Sequence, residues 1–229
     1  MNVQRYARLA GALLLVSIVA GGLGEAYIPS KIIVSGDATA TAANLRNFDF
    51  LYRLGFATFL IESLCDTALA LIMYVLLKPV SRELSLAAAF FGLMATATFA
   101  CAELFYFAPV VIMKNGAALT SLSPDQMNAL MLLSLKFYGF AGMITTAYYG
   151  IAWMIRGYLM FRSGYLPRFL GVLMAIGGAG FFLRNFLLIL TPDVASPVLL
   201  LLMFPGGLIL LGWLLVKGVD EMKWRAAQT

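Results

Sequence analysis

Apolar runs long enough to cross a bilayer follow one another along nearly the whole chain, and that recurrence leaves few folds open. A membrane-spanning helix needs about 20 predominantly apolar residues. Segments of this kind occupy about residues 6–28, 51–77, 86–113, 124–160, 167–190 and 198–216. With 62% of its 229 residues hydrophobic, 12% charged and a mean hydropathy of +0.91, the chain has more apolar surface than a soluble domain of this size can hide. No stretch remains for a separate soluble domain. The pattern predicts one all-α membrane domain over residues 1–229, a polytopic transmembrane helical bundle of six spans.

The net charge of +5 invites a nucleic-acid reading, but the placement of the cations opposes it. Arg5, Arg8, Lys78, Arg82, Arg156, Arg162, Arg168, Lys217, Lys223 and Arg225 gather at one set of helix ends, and only Lys31, Arg46 and Lys114 fall in the opposite loops. That asymmetry is topological and, with six spans, predicts both termini in the cytoplasm. Tyr74, Trp153, Tyr158 and Trp213 on the inner side, with Tyr27 and Tyr52 on the outer, fit interfacial aromatic belts. Histidine is absent, which removes the commonest general base and the usual haem and zinc nitrogen ligand. Cys65 and Cys101 fall inside spans, where no disulfide framework is expected.

Local signals refine the boundaries. Arg5 and Arg8 ahead of LAGALLLVSIVAGGLG resemble a secretory leader, yet the run is long enough to span and GEAY is a poor cleavage site, so a retained first helix is expected. In residues 29–50, Asp37 can cap a short helix to about Arg46 lying across the membrane surface, as a lid or as plain loop. SLSPDQ reads as a helix start, with Ser123 as cap, Pro124 in the first turn and Gln126 closing a capping box. The fourth helix exceeds the bilayer and should tilt or protrude.

The stretches RSGYLPRFLGVLMAIGG, VSGDATATAANL and YVLLKPVSREL carry a likeness of a different kind. Through them the chain, from about residue 5 to 218, resembles a bacterial membrane family known only as domain of unknown function 4386. The resemblance implies six helices and a bacterial inner-membrane location. It implies no activity, ligand or catalytic residue.

The candidate site comes from ionisable residues inside the spans, which cost at least roughly 2.5 kcal/mol each unless paired or put to use. Glu62, Glu103, Lys136 and Arg184 lie at depths of roughly 10–18 Å from the outer helix ends, with Asp66 one turn below Glu62. Each rides a stripe of small or hydroxyl residues: Thr58 and Gly55 for Glu62, Thr96 and Gly92 for Glu103, Gly139 and Gly150 for Lys136, Gly180 and Gly177 for Arg184. Such stripes mark helix contacts in lipid, so all five charges are expected to face the bundle interior. Glu25 and Arg53 are peripheral members near the outer boundary. Pro205 and Gly206, at matching depth, predict a break in the last helix.

Two readings of this constellation stand side by side. It is an ion-pair network that only fixes packing, or it lines a polar pocket opening outward. The pocket would bind or transport a small zwitterionic or amphiphilic molecule, proton-linked through Glu62 and Asp66. A metal site from Glu62, Cys65, Asp66, Cys101 and Glu103 lacks histidine and a clustered spacing, and no cofactor or metal is expected. A lipid-modifying intramembrane enzyme and a non-catalytic membrane subunit remain as alternatives, although no nucleophile motif is visible. Membrane lipid and a small ligand are the expected partners, nucleic acid is not, and the oligomeric state is left open.

Overall fold

The computed structural model describes residues 2–114, 121–191 and 203–228, and among them every regular element is helical. We number eight: α1 (Val3–Ile32), α2 (Ala38–Asn47), α3 (Asp49–Leu77), α4 (Arg82–Lys114), α5 (Pro124–Ser163), α6 (Arg168–Leu190), α7 (Met203–Val216) and α8 (Glu221–Ala226). α1, α3, α4, α5 and α6 are long and apolar enough to cross a membrane, and α7 adds a shorter apolar helix. The chain is a multi-pass membrane protein. The expected start of the last span, residues 198–202, lies outside the described residues.

The helix boundaries follow from local chemistry. Asp37 caps α2 by accepting from the Ala40 amide at 2.8 Å, as its position predicts. The capping box of α5 closes in both directions, Ser123 N to Gln126 Oε1 at 2.8 Å and Gln126 N to Ser123 Oγ at 3.2 Å. α5 then runs 40 residues, about 60 Å at 1.5 Å per residue, twice the hydrocarbon thickness. In α1 the turn Gly22–Tyr27 is a π-helix, at the GGLGE segment.

Contacts group the residues into two compact units. The first comprises Met1–Leu15, Cys65–Thr96 and Met143–Thr229. In it α5 and α6 meet backbone to backbone through four glycines. A Cβ on Gly150 would lie 2.7 Å from Gly178 O, and one on Gly157 would lie 2.6 Å from Gly171 O. The spacing of seven residues on each helix puts both pairs on one seam. The end of α3 is tied down by two side chains that share an acceptor. The Tyr165 hydroxyl and the Trp224 indole N–H both donate to Leu76 O, at 2.7 and 2.9 Å.

The second unit comprises Val16–Leu64 and Ala97–Gly142. Its core joins Ile28 and Ile32, Leu45 of α2, Tyr52 and Phe59 of α3, Phe99, Tyr106 and Val110 of α4, and Met131 of α5. α2 is a docked helix: Ala42 and Leu45 are fully buried, and Arg46 donates to Asn128 at 2.9 Å. Tyr52 is buried here too, stacked on Tyr106 at 4.4 Å, rather than serving as an interfacial anchor. Its hydroxyl donates to Tyr106 O, one turn before Pro109, which brings no amide donor of its own to α4.

Candidate functional site

Within the second unit the charges of three carboxylates, Glu25, Glu62 and Glu103, act on one tyrosine, Tyr138. α3 carries Glu62, whose position is set by the absence of a side chain opposite: a Cβ on Gly21 would lie 2.7 Å from Glu62 Oε1. One turn further on, Gly24 makes the same allowance for Thr58 and Phe59, 2.5 Å from Thr58 Oγ1 and 2.9 Å from the Phe59 ring. The π-turn Gly22–Tyr27 follows Gly21, contains Gly24 and carries Glu25. π-turns are rare and cluster at functional sites. α4 contributes Glu103, only 4% exposed.

Tyr138 of α5 lies in the field of Glu25, Glu103 and Glu62, and Tyr106 in that of Glu103. Glu25 acts on Glu103 as well. The acids form a gradient of exposure, with Glu25 exposed, Glu62 half-buried and Glu103 buried. The Tyr138 hydroxyl is a donor at hand for Glu103, but the geometry does not close as a hydrogen bond. Both Glu103 carboxyl oxygens are buried with no hydrogen-bond partner among the described residues. Around them Phe59, Tyr106 and Tyr138 stand against one another, with centroids 4.9, 5.4 and 6.0 Å apart and steep mutual tilts.

The cations expected to balance these acids are placed otherwise. Lys136 is exposed, on the α5 surface that also presents Phe137 and Phe140, 48% and 61% exposed, while Met131, Ser134 and Leu135 turn inward. Of the two glycines taken to mark its stripe, Gly139 has nothing within 4 Å of a Cβ among the described residues, whereas Gly150 lies in the α5–α6 seam. Arg184 and Asp66 belong to the first unit, and neither unit holds the full set of five charges. Arg53 makes a local, part-exposed ion pair with Asp49 at 2.8 Å. The described part of α7 is helical through Pro205 and Gly206. Gly206 closes on α6, where a Cβ would lie 2.9 Å from Leu173 O.

In the first unit the buried cation is one that the sequence assigns to a helix end. Arg156 is 4% exposed, and a Cβ on Gly92 would lie 2.6 Å from its Nη2. Asp66 and Tyr149 are the groups whose charge acts on it. A cavity of about 10 Å³ beside it, walled by Leu69, Met73, Trp153 and Gly207, has barely room for one water. The neighbour of Arg184, Asn185, is the residue that turns inward, donating to Thr146 Oγ1 at 2.7 Å and Phe181 O at 2.9 Å. The signal for Arg156 was α5's length: seven residues from Ser163, it sits two turns inside the helix.

Among the described residues no three Asp, Glu, Cys or His groups approach closely enough to hold a metal ion. The acid cluster can instead accept positive charge spread over a larger group, or a proton. In comparisons with known proteins, a family model described as a domain of unknown function (DUF4386) matches residues 9–218. No curated protein and no solved structure matches.

Proposed function

Since the chain belongs to the DUF4386 family, whose description assigns no activity, we propose from its own chemistry that it binds a small amphiphile by a cationic group at the Glu25–Glu62–Glu103 site. The observation that carries the reading is Glu103, buried, acted on by the charge of Glu25, and with neither carboxyl oxygen hydrogen-bonded among the described residues. An ionised carboxylate in that position costs several kcal/mol unless a cation or a proton neutralises it. An arriving organic cation would exchange with that proton, which is the minimal chemistry of a proton-linked transporter. The rings of Tyr106, Tyr138 and Phe59 suit an ammonium better than an anion. A zwitterion would enter by the same positive end.

In this reading the protein lies in a bacterial inner membrane with both termini cytoplasmic. Arg5, Arg8, Lys78, Arg82, Arg162, Arg168, Lys217, Lys223 and Arg225 at one set of helix ends, against Lys31, Arg46 and Lys114 in the opposite loops, support that orientation.

The test uses the full chain in nanodiscs titrated with decyltrimethylammonium and, separately, uncharged decanol, with empty nanodiscs subtracted. Wild type binds the cation in preference, releases protons on binding, and loses about tenfold or more in affinity in Glu103→Gln, the scale of one charge-assisted contact. Equal binding of the two probes, or of wild type and a variant that melts normally, sinks the reading. A purely structural role suits the Asp66–Arg156 group, where Gly92 closes against the guanidinium.

A further inference from the structure

At one end of the first unit, two turns are locked together around an open cleft. The α5–α6 turn carries Gly164 at φ +69° and the α7–α8 turn Gly218 at φ +68°, both in the left-handed region that favours glycine. The Asp220 amide donates to Tyr165 O at 3.2 Å, joining the two turns. The Gln4 side chain clamps the second, donating to Lys217 O at 2.9 Å and accepting from the Val219 amide at 3.0 Å. Trp213 is fixed in turn, its indole N–H bonded to Gly218 O at 3.0 Å and its ring edge-on to Phe169. The space between has a volume of about 400 Å³, within the roughly 300–1,000 Å³ of ligand pockets.

Two exposed lysines, Lys217 and Lys223, line this cleft. Lys223 is held by Asp220 at 3.3 Å, a part-exposed pair that another anion can share. Arg162, Arg168 and Arg225 are exposed in the same unit. Next to the cationic wall the surface turns apolar: Val216 is 71% and Met222 82% exposed, and Phe169 and Phe161 are also open. A charged head site bordered by open apolar surface is the shape of a lipid, with a phosphate for the lysines and acyl chains for the rest.

We propose that the cleft between the 164–167 turn and the 217–223 segment binds the headgroup phosphate of an anionic phospholipid. The site is separate from the acid cluster and does not depend on it. Lys217 and Lys223 contact the phosphate, the Trp213 ring stacks along the glycerol region, and Gln4 and Tyr165 keep the cleft open without the ligand.

The experiment is native mass spectrometry of the full chain titrated with phosphatidylglycerol and phosphatidylcholine of identical acyl chains, for wild type and Lys217→Gln/Lys223→Gln. Wild type retains one phosphatidylglycerol in preference, and the double variant holds it about thirty-fold less tightly while its phosphatidylcholine binding and melting are unchanged. Lys217→Arg/Lys223→Arg keeps the preference. Equal retention of both lipids by wild type, or undiminished phosphatidylglycerol binding by the Gln variant, overturns the proposal. So does displacement by inorganic phosphate at the same concentration as lipid, which would make the cleft a site for free anions.

Discussion

Gly178→Ala tests how α5 and α6 are held together. The added Cβ would lie 2.5 Å from Gly150 O and 2.7 Å from Met154 N, against the 3.5–4.0 Å or so of an unstrained carbon contact. Both opposing atoms are backbone, so no rotamer change relieves the clash, and the helices must part by about 1 Å along the seam. Overpacking of this kind costs about 1–3 kcal/mol. The better helix propensity of alanine returns up to about 1 kcal/mol, leaving a net loss of up to about 2 kcal/mol. Gly139→Ala is the control, because a Cβ there meets nothing within 4 Å and only the propensity gain remains. Unfolding of the full chain in detergent, followed by circular dichroism, should therefore move in opposite directions for the two variants. Equal shifts, or a Gly178→Ala protein at least as stable as wild type, would refute the backbone-contact argument.

Three further outcomes follow from contacts already described. Tyr165→Phe and Trp224→Phe each remove one donor to Leu76 O and should each cost about 1 kcal/mol; their double variant should cost more than the sum, since only then is the acceptor left empty, and a thermodynamic cycle on the four proteins checks this. The Asp220 carboxyl accepts from the Lys223 amide and is held below its ordinary value of 3.8 by that bond first, with the Lys223 ammonium adding to it. A group with a lowered folded-state value stabilises above its unfolded value and loses that contribution as pH falls through the folded one, so Trp224 fluorescence should be flat from neutral pH to about 5 and change below about 4, and Asp220→Asn should abolish that step. Finally, Asp66→Asn alone should destabilise more than Asp66→Asn with Arg156→Gln, because the single change leaves a buried cation uncompensated; equal stability of the two would show that Asp66 is not its counter-charge.

The helices themselves were legible because apolar runs and caps are local signals. Asp37, Ser123 and Gln126 act within three residues of where they stand. Which face of a helix turns inward was far less legible, since in lipid both faces are apolar and the usual amphipathic contrast is lost. Lys136 shows the failure: Gly139 beside it meets nothing among the described residues, whereas the other glycine of its stripe, Gly150, seats α6 together with Gly157, Gly171 and Gly178. Arg156 was hidden by position, counted with the helix-end cations although α5 continues two turns past it. A carboxylate in mid-span is anomalous whichever way it points, so the acids were easy to single out. The tyrosine on which the charges of Glu25, Glu62 and Glu103 all act, Tyr138, has no distinguishing mark in a chain with ten tyrosines.

The π-turn in α1 has a consequence for register. Its hydrogen bonds reach one residue further than those of an α-helix, so the six residues between Val3–Gly21 and Ile28–Ile32 take up one surplus residue within a continuous helix. Gly21 seats Glu62, and Gly24, inside the turn, seats Thr58. Gly22 supports nothing, since a Cβ there meets open space. Deleting Gly22 would let the segment relax to a continuous α-helix in which Val3–Gly21 and Ile28–Ile32 stay nearly in phase, because the π-turn had absorbed the surplus residue. Gly24 lies inside the turn and would move one residue closer to Gly21, so the seat of Thr58 is the contact that depends on the surplus residue.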